Sequence, residues 1–190
     1  MRLASSGKIN TSTILTAISF IGRHFTPCSL PICVDFDHVF DFDNPSRCIA
    51  RSNIDNPTEN LFYITKTYQS VLNQVEAGVI APGRYFALLP CKSLEIENSH
   101  TYANNLAVTA FIVSHNDETD DLISSVLSVY DLMGVTSTTR SCNDKANCTE
   151  FFVNGVPVGR VVTVEIGDLY ASVATVLHEP VFSYATSLLK

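Results

Sequence analysis

The sequence has no glycine-rich phosphate cradle. Its best approximation, VNGVPVGR, lies between strand-like runs and opens no helix, which excludes a P-loop and a dinucleotide fingerprint. No glycine pattern of the nucleophile-elbow kind surrounds any serine or cysteine, and histidines 24, 38, 100, 115 and 178 are scattered. Long apolar runs are missing too: nothing approaches the ~18 consecutive residues of a membrane span. Basic residues are scarce, 12 Lys and Arg against 19 Asp and Glu, so the net charge of -7 repels nucleic acid and sequence-specific binding is not expected. Only 16% of residues are charged while 46% are hydrophobic, a balance that excludes disorder and favours burial against copies of the chain or other partners. There is no internal repeat and no low-complexity tract.

What is present begins with a basic start and an apolar middle, MRLASSGKINTSTILTAISFIG. Thr11, Ser12, Thr13, Thr16 and Ser19 interrupt it and no small-residue cleavage site follows, so a soluble intracellular protein without a membrane segment is expected. Six cysteines, at 28, 33, 48, 91, 142 and 148, lack the two-residue knuckle of a structural zinc site. Free, partly buried thiols are the expectation, with Cys142 and Cys148 the best candidates for an exposed redox pair because they flank a polar loop. Asn10 and Asn147 begin N-x-S/T triplets, which in a chain without a signal segment read as chance matches.

Helical spacing over residues 10–23 places Ile14, Leu15, Ala17, Ile18 and Ile21 on one stripe. A strand or hairpin with a wet acidic face follows from the alternation of Val34, Phe36, Phe40 and Phe42 with Asp35, Asp37, Asp41 and Asp43. Asn56, Pro57 and Glu59 form a capping-box start for a helix running to Gly78, with Leu61, Ile64, Tyr68, Val71, Leu72 and Val75 as its buried face. Residues 84–89 form an interior strand, LEIE a short separate one, NSHTYANN a polar connection and LAVTAFIVS the middle strand of a sheet. Asn116 or Asp117 caps the next helix, whose core face is Leu122, Val126, Val129 and Met133 and which ends at Gly134. Residues 136–149 read as a polar loop, EFFV, VVTVEI and LYASVATVL as strands, and Gly167-Asp168 as a hairpin turn; Pro157 and Gly159 disfavour a regular hairpin at Asn154-Gly155. The fold class is α+β: a mixed, mainly antiparallel sheet with two to three helices packed on it. One domain over 1–190 is expected, with 1–55 a helix plus extended arm and 56–190 the core.

One enzyme arrangement is present in outline. Val34-Asp35-Phe36-Asp37 resembles the first motif of haloacid dehalogenase-type phosphohydrolases, which implies Asp35 as nucleophile and Mg²⁺ ligand and Asp37 as general acid and base. Ser114 resembles the phosphate-binding residue and Asp168 the later acidic motif, but His38 replaces the usual glycine and no lysine stands clearly in the third position. Aspartates 35, 37, 41 and 43 also supply the oxygens a divalent cation such as Ca²⁺ prefers, without an EF-hand's glycine and terminal glutamate.

The order of elements over residues 56–184, with the run YFALLP, LEIE, TYANNLAVTAFIVS, DETDDLISSVLSVYDLM, resembles the tail terminator and tail-completion proteins of long-tailed bacteriophages. That resemblance implies a non-enzymatic structural virion protein without cofactor. Its homo-oligomeric, hexameric ring would end the tail tube, join it to neck proteins and let DNA pass through its lumen. No residue-specific motif carries over, so the resemblance names no catalytic, cofactor or metal residue.

Overall fold

The computed structural model describes residues 11–30, 36–41, 48–49, 61–65, 67–94, 102–141 and 147–178. The fold is α+β, as expected: the described residues form three helices and a mixed, mainly antiparallel sheet of ten strands. In chain order these are α1 (Thr11–Gly22), β1 (Thr26–Pro27), β2 (Phe36–Asp41), β3 (Cys48–Ile49), β4 (Leu61–Thr65), α2 (Thr67–Glu76) and β5 (Gly83–Leu94). β6 (Tyr102–Ser114), α3 (Thr119–Leu132), β7 (Ser137–Ser141), β8 (Cys148–Val153), β9 (Val156–Ile166) and β10 (Leu169–His178) complete it. The spatial order is β3-β2-β4-β5-β6-β10-β9-β8-β7, and among the described residues the one parallel pairing is β1 beside β5.

The β5–β6 ladder runs without interruption from Gly83 opposite Val113 to Leu94 opposite Tyr102. Both strands are longer than the sequence pattern suggested. Leu94 continues β5 instead of opening a new strand, and the supposed connection already belongs to β6 from Tyr102 onward; Glu95 to Glu97 lie outside the described residues. On the other side of β5, β1 pairs with Tyr85 and Phe86 and β4 with Cys91 to Ser93. Pro90 falls in the gap between those two partners, where this long strand tolerates a residue without an N–H.

Side-chain alternation then sorts two cores. Phe86, Val108, Ala110 and Ile112 meet Phe20 of α1 and Leu122, Val126, Val129 and Tyr130 of α3. Ala87, Phe111, Val113 and Val173, displaced by one residue, face the other way and meet Val71 and Val75 of α2 with Leu30. Helices therefore cover both faces, and α3 buries the stripe its sequence predicts. All three helices end in the same way. The N–H groups of Phe25, Val79 and Val135 reach back to the carbonyls of Phe20, Gln74 and Tyr130, across residues of positive φ at His24, Gly78 and Gly134.

Three expectations are corrected. The helix drawn over 56–78 begins only at Thr67, because Leu61 and Ile64 pair as strand residues with Asp41 and His38 of β2; β-branched and aromatic content (Phe62, Tyr63, Ile64) outweighs the helical spacing. Its capping box lies outside the described residues, whereas Val71, Leu72 and Val75 are buried as expected. The polar loop over 136–149 contains β7, whose pairing with β8 needs only backbone groups and leaves no apolar alternation to read. A regular hairpin does form at Asn154-Gly155, with φ of 51° and 78° and Val153 opposite Val156. A bulge between Phe151 and Phe152 absorbs the Pro157 irregularity.

Gly159 is needed for close approach rather than flexibility. A Cβ there would lie 2.3 Å from the Thr175 carbonyl oxygen and 3.3 Å from the Tyr130 hydroxyl. Gly159→Ala should therefore lower the urea unfolding midpoint by an amount equivalent to about 2–3 kcal/mol, the ordinary cost of forcing a methyl into packed backbone; an unchanged midpoint would contradict this packing.

Candidate functional site

The phosphohydrolase arrangement is tested by where the fold puts its parts. Asp35 and Asp43 lie outside the described residues, and Asp37 and Asp41 are in β2. This strand pairs antiparallel with both neighbours, and Asp37 is the extra residue of a bulge between Phe36 and His38. The strict alternation that would bring the aspartates to one face is therefore broken at Asp37. Ser114 is three strands away, and the register through Ile64, Cys91 and Asn105 puts it nine residues further along, about 30 Å at strand rise. One phosphate cannot span that distance. Asp168 is exposed in the two-residue turn between β9 and β10, where Gly167 takes a φ of 62°, and lies 3.5 Å from His115 Nδ1. The turn was foreseen; the catalytic role gains no support.

Two polar arrangements that the sequence reading missed are built around the start of α3. Thr163 of β9 and Ser172 of β10 are cross-strand partners whose side chains point towards α3, both buried. Thr163 Oγ1 donates to Ser172 Oγ at 3.0 Å, and Ser172 Oγ lies 3.1 Å from Thr119 Oγ1. Thr119 Oγ1 donates in turn to Asp117 Oδ1, which also accepts the Thr119 backbone N–H at 3.0 Å. Thr119 Oγ1 also meets Thr163 Oγ1 at 2.5 Å, so the three hydroxyls form a closed cluster beside the Asp117 carboxylate. The cluster satisfies two buried hydroxyls and ties the β9–β10 hairpin to the helix. The N-cap position is occupied by Glu118, whose side chain makes no capping bond, and not by Asn116 or Asp117 as expected; Asp117 accepts the Thr119 N–H from one residue further out. The signal was available: Thr163 and Ser172 are hydroxyls at inward positions of apolar strands.

The second arrangement centres on Arg84. Its guanidinium lies 4.6 Å from the centre of the Phe25 ring, pairs through Nη1 with Asp121 and stands 3.9 Å from Glu118. One side chain thereby connects β5, the exit of α1 and the first turn of α3. The hydroxyls of the first arrangement and Arg84 Nη1 of the second are engaged within the fold, whereas Arg84 Nε is buried without a hydrogen-bond partner.

On the opposite face, Thr109, Thr175, Arg160, Glu150 and Arg140 are register partners in turn across β6, β10, β9, β8 and β7. Charge alternates along the outer part of this row, and the Arg140 guanidinium sits 5.0 Å over the Phe152 ring. Thr109 is fully buried and its Oγ1 has no hydrogen-bond partner.

Among the cysteines, Cys28 is a half-buried free thiol whose pKa is raised by burial. Cys148 is buried and disulfide-bonded, against the expectation of free thiols, and Cys142 lies outside the described residues. Cys48 and Cys91 lie in β3 and β5, and Cys33 is outside the described residues. Among the described residues no group of three His, Cys, Asp or Glu is placed to hold a metal, and no helix is long and apolar enough to cross a membrane.

No protein-family model matches the chain, and no curated protein matches it either. Among the solved structures similar in fold are two synthetases. One is a pyrrolysyl-tRNA synthetase of Desulfitobacterium hafniense, PylSc, at 10% identity and a TM-score of 0.50, covering 86% of this chain and 64% of that one. The other is described as pyrrolysyl-tRNA synthetase from the same organism, at 9% identity and a TM-score of 0.55, covering 93% of this chain and 68% of that one. The chain thus spans about two thirds of the length of these neighbours. At this identity the likeness is one of fold alone.

Two measurements check the site. Ser172→Ala removes one hydroxyl of the buried cluster and should cost about 1–2 kcal/mol in chemical denaturation, with no change in oligomeric state. Because burial keeps Cys28 protonated to higher pH than an ordinary thiol of pKa ~8.5, its alkylation in the folded protein should lag that in the unfolded chain at pH 8 and catch up as pH rises.

Proposed function

We propose that this protein works by assembling with copies of itself and catalyses nothing. The observation that carries this reading is α1. Its sheet-facing side consists of Thr16, Phe20 and the partly buried Ala17, whereas Ile14, Leu15, Ile18 and Ile21 are 49%, 51%, 59% and 55% exposed. Four of the five stripe residues are thus turned outward, because the inner position is taken by Phe20, packed 5.0 Å from Phe25 and 6.2 Å from Phe86. Four large aliphatic side chains on three turns of one helix form a patch of the kind that marks an interface.

The occupant that suits it best is a second copy. In a chain of net charge -7, α1 contains no ionisable side chain, so two copies meet there without like-charge repulsion. Ile14, Ile18 and Ile21 follow the four-then-three spacing with which one helix packs along another. The patch covers roughly 400 Å² per chain, about half of what each partner gives in a standard interface, so neighbouring surface must join it.

The finer form of this proposal is the ring at the end of a phage tail tube, with tube and neck proteins as partners and the virion as location. A two-fold contact through α1 closes at two copies, whereas a ring needs a second and different patch. Leu132 and Val79, both exposed, stand at the ends of α3 and α2 as candidates for it. A second reading, an enzyme that attaches an amino acid to tRNA, draws on the fold likeness alone. Net acidity works against its polyanionic substrate.

Sedimentation equilibrium at micromolar concentration decides. The natural chain should be oligomeric, and Ile18→Glu should weaken association by about 100-fold or more, two lost isoleucines per contact at ~1.5 kcal/mol each, while leaving the unfolding midpoint of the monomer in place. A natural chain that stays monomeric at tens of micromolar, or an Ile18→Glu variant that assembles normally, would refute the reading; two copies instead of six would refute only its ring form.

A further inference from the structure

The triplet Asn147-Cys148-Thr149 has the N-x-T form of an N-glycan acceptor. Such triplets arise by chance, and in the sequence this one carries no weight. Two features of the structure change that. Asn147 is exposed in the turn that leads into β8, with a φ of 62°, a left-handed conformation asparagine tolerates. Its carbonyl accepts the Thr163 N–H at 3.0 Å, so the backbone is anchored to the sheet while the residue stands in solvent. The next residue, Cys148, is buried and disulfide-bonded. Disulfides form and persist in oxidising compartments, the secretory lumen among them, and that lumen is where N-glycans are added.

We propose that Asn147 is an N-glycosylation site and that the chain matures in an oxidising secretory compartment. In the transfer, Asn147 Nδ2 bonds to the anomeric carbon of a lipid-pyrophosphate-linked oligosaccharide. The bond from that carbon to the pyrophosphate oxygen breaks, the lipid pyrophosphate leaves with the electron pair, and Nδ2 gives up one proton. No electron is gained or lost. The acceptor is read before β8 pairs, since in the fold Thr149 is half-buried opposite Ser141 and Val161. A glycan there leaves the α1 patch open, because α1 packs on β6 and β8 is three strands further along the sheet.

This inference stands apart from self-association but bears on its finer form. A chain that carries a glycan at Asn147 would argue against the tail-tube ring while leaving self-association through α1 in place.

The test uses the full chain behind a cleavable secretory leader, translated with microsomal membranes, with translocation verified by protease protection. Asn10→Gln is included throughout so that the other triplet contributes nothing. The translocated chain should carry one glycan, removed by an amide-cleaving glycosidase that leaves aspartate at position 147. Asn147→Gln and Thr149→Ala should abolish it, and Thr149→Ser should retain it. Cys148→Ser keeps the acceptor triplet, so the glycan should remain even if the fold fails. A translocated chain bare at Asn147, or one whose glycan persists in Asn147→Gln, overturns the proposal.

Discussion

The rest of the structure depends on the β5–β6 ladder. Twelve consecutive residue pairs hold two strands in one register, and that register decides which side chains face which way. A shift by one residue would exchange the face that takes Phe86, Val108, Ala110 and Ile112 for the face that takes Ala87, Phe111 and Val113. The two sets are not interchangeable, since the first meets two helices and joins Phe86 to Phe20 and Phe25 in one cluster, and the second meets a single shorter helix. The phenylalanine cluster decides the pose of α1, and the pose of α1 is what turns four aliphatic side chains outward.

Much of this was legible in the residues. Gly78, Gly134 and Gly167 marked ends and turns that the structure keeps, because a positive φ is a local demand that a sequence can state by itself. The core face of α3 was legible for the same reason: its apolar spacing had only one sheet face to meet. The errors arose where a segment's neighbours outweighed its own pattern. Leu61 and Ile64 satisfy helical spacing, but a partner strand is present and their stretch is β-branched and aromatic. β7 carries no apolar signal and is recruited by the edge of β8. The outward turn of α1 could not be read at all, since both sides of that helix are apolar and only Phe20 packs well against Phe25 and Phe86.

For the candidate site the balance is different. The aspartates looked like chemistry because two of them follow an apolar strand, yet a motif of that kind acts only when strand direction and register bring its parts together. An antiparallel β2 with a bulge at Asp37, far along the sheet from Ser114, separates what the sequence placed side by side in outline. Conversely, the cluster of the Thr163, Ser172 and Thr119 hydroxyls beside Asp117 joins residues that span 55 positions in sequence, and it serves to lock a hairpin against a helix start.

Where polar groups are consumed in this way, function has to be sought on the surfaces that remain unsatisfied. A half-exposed isoleucine costs solubility in a free monomer and gains stability only when covered. An acidic protein has a strong reason to confine such a patch to an element without charge, because elsewhere on its surface two copies repel. α1 meets both conditions: it is apolar on its outer side and carries no ionisable group, and it is held in that pose by Schellman-type bonds at its exit and by Arg84 over Phe25. The same side chain that completes the exit of α1 also pairs with the first turn of α3. Loosening the patch would therefore loosen the core beneath it, and this coupling is the physical reason to regard the outward face of α1 as a fixed feature of the fold rather than an accident of its packing.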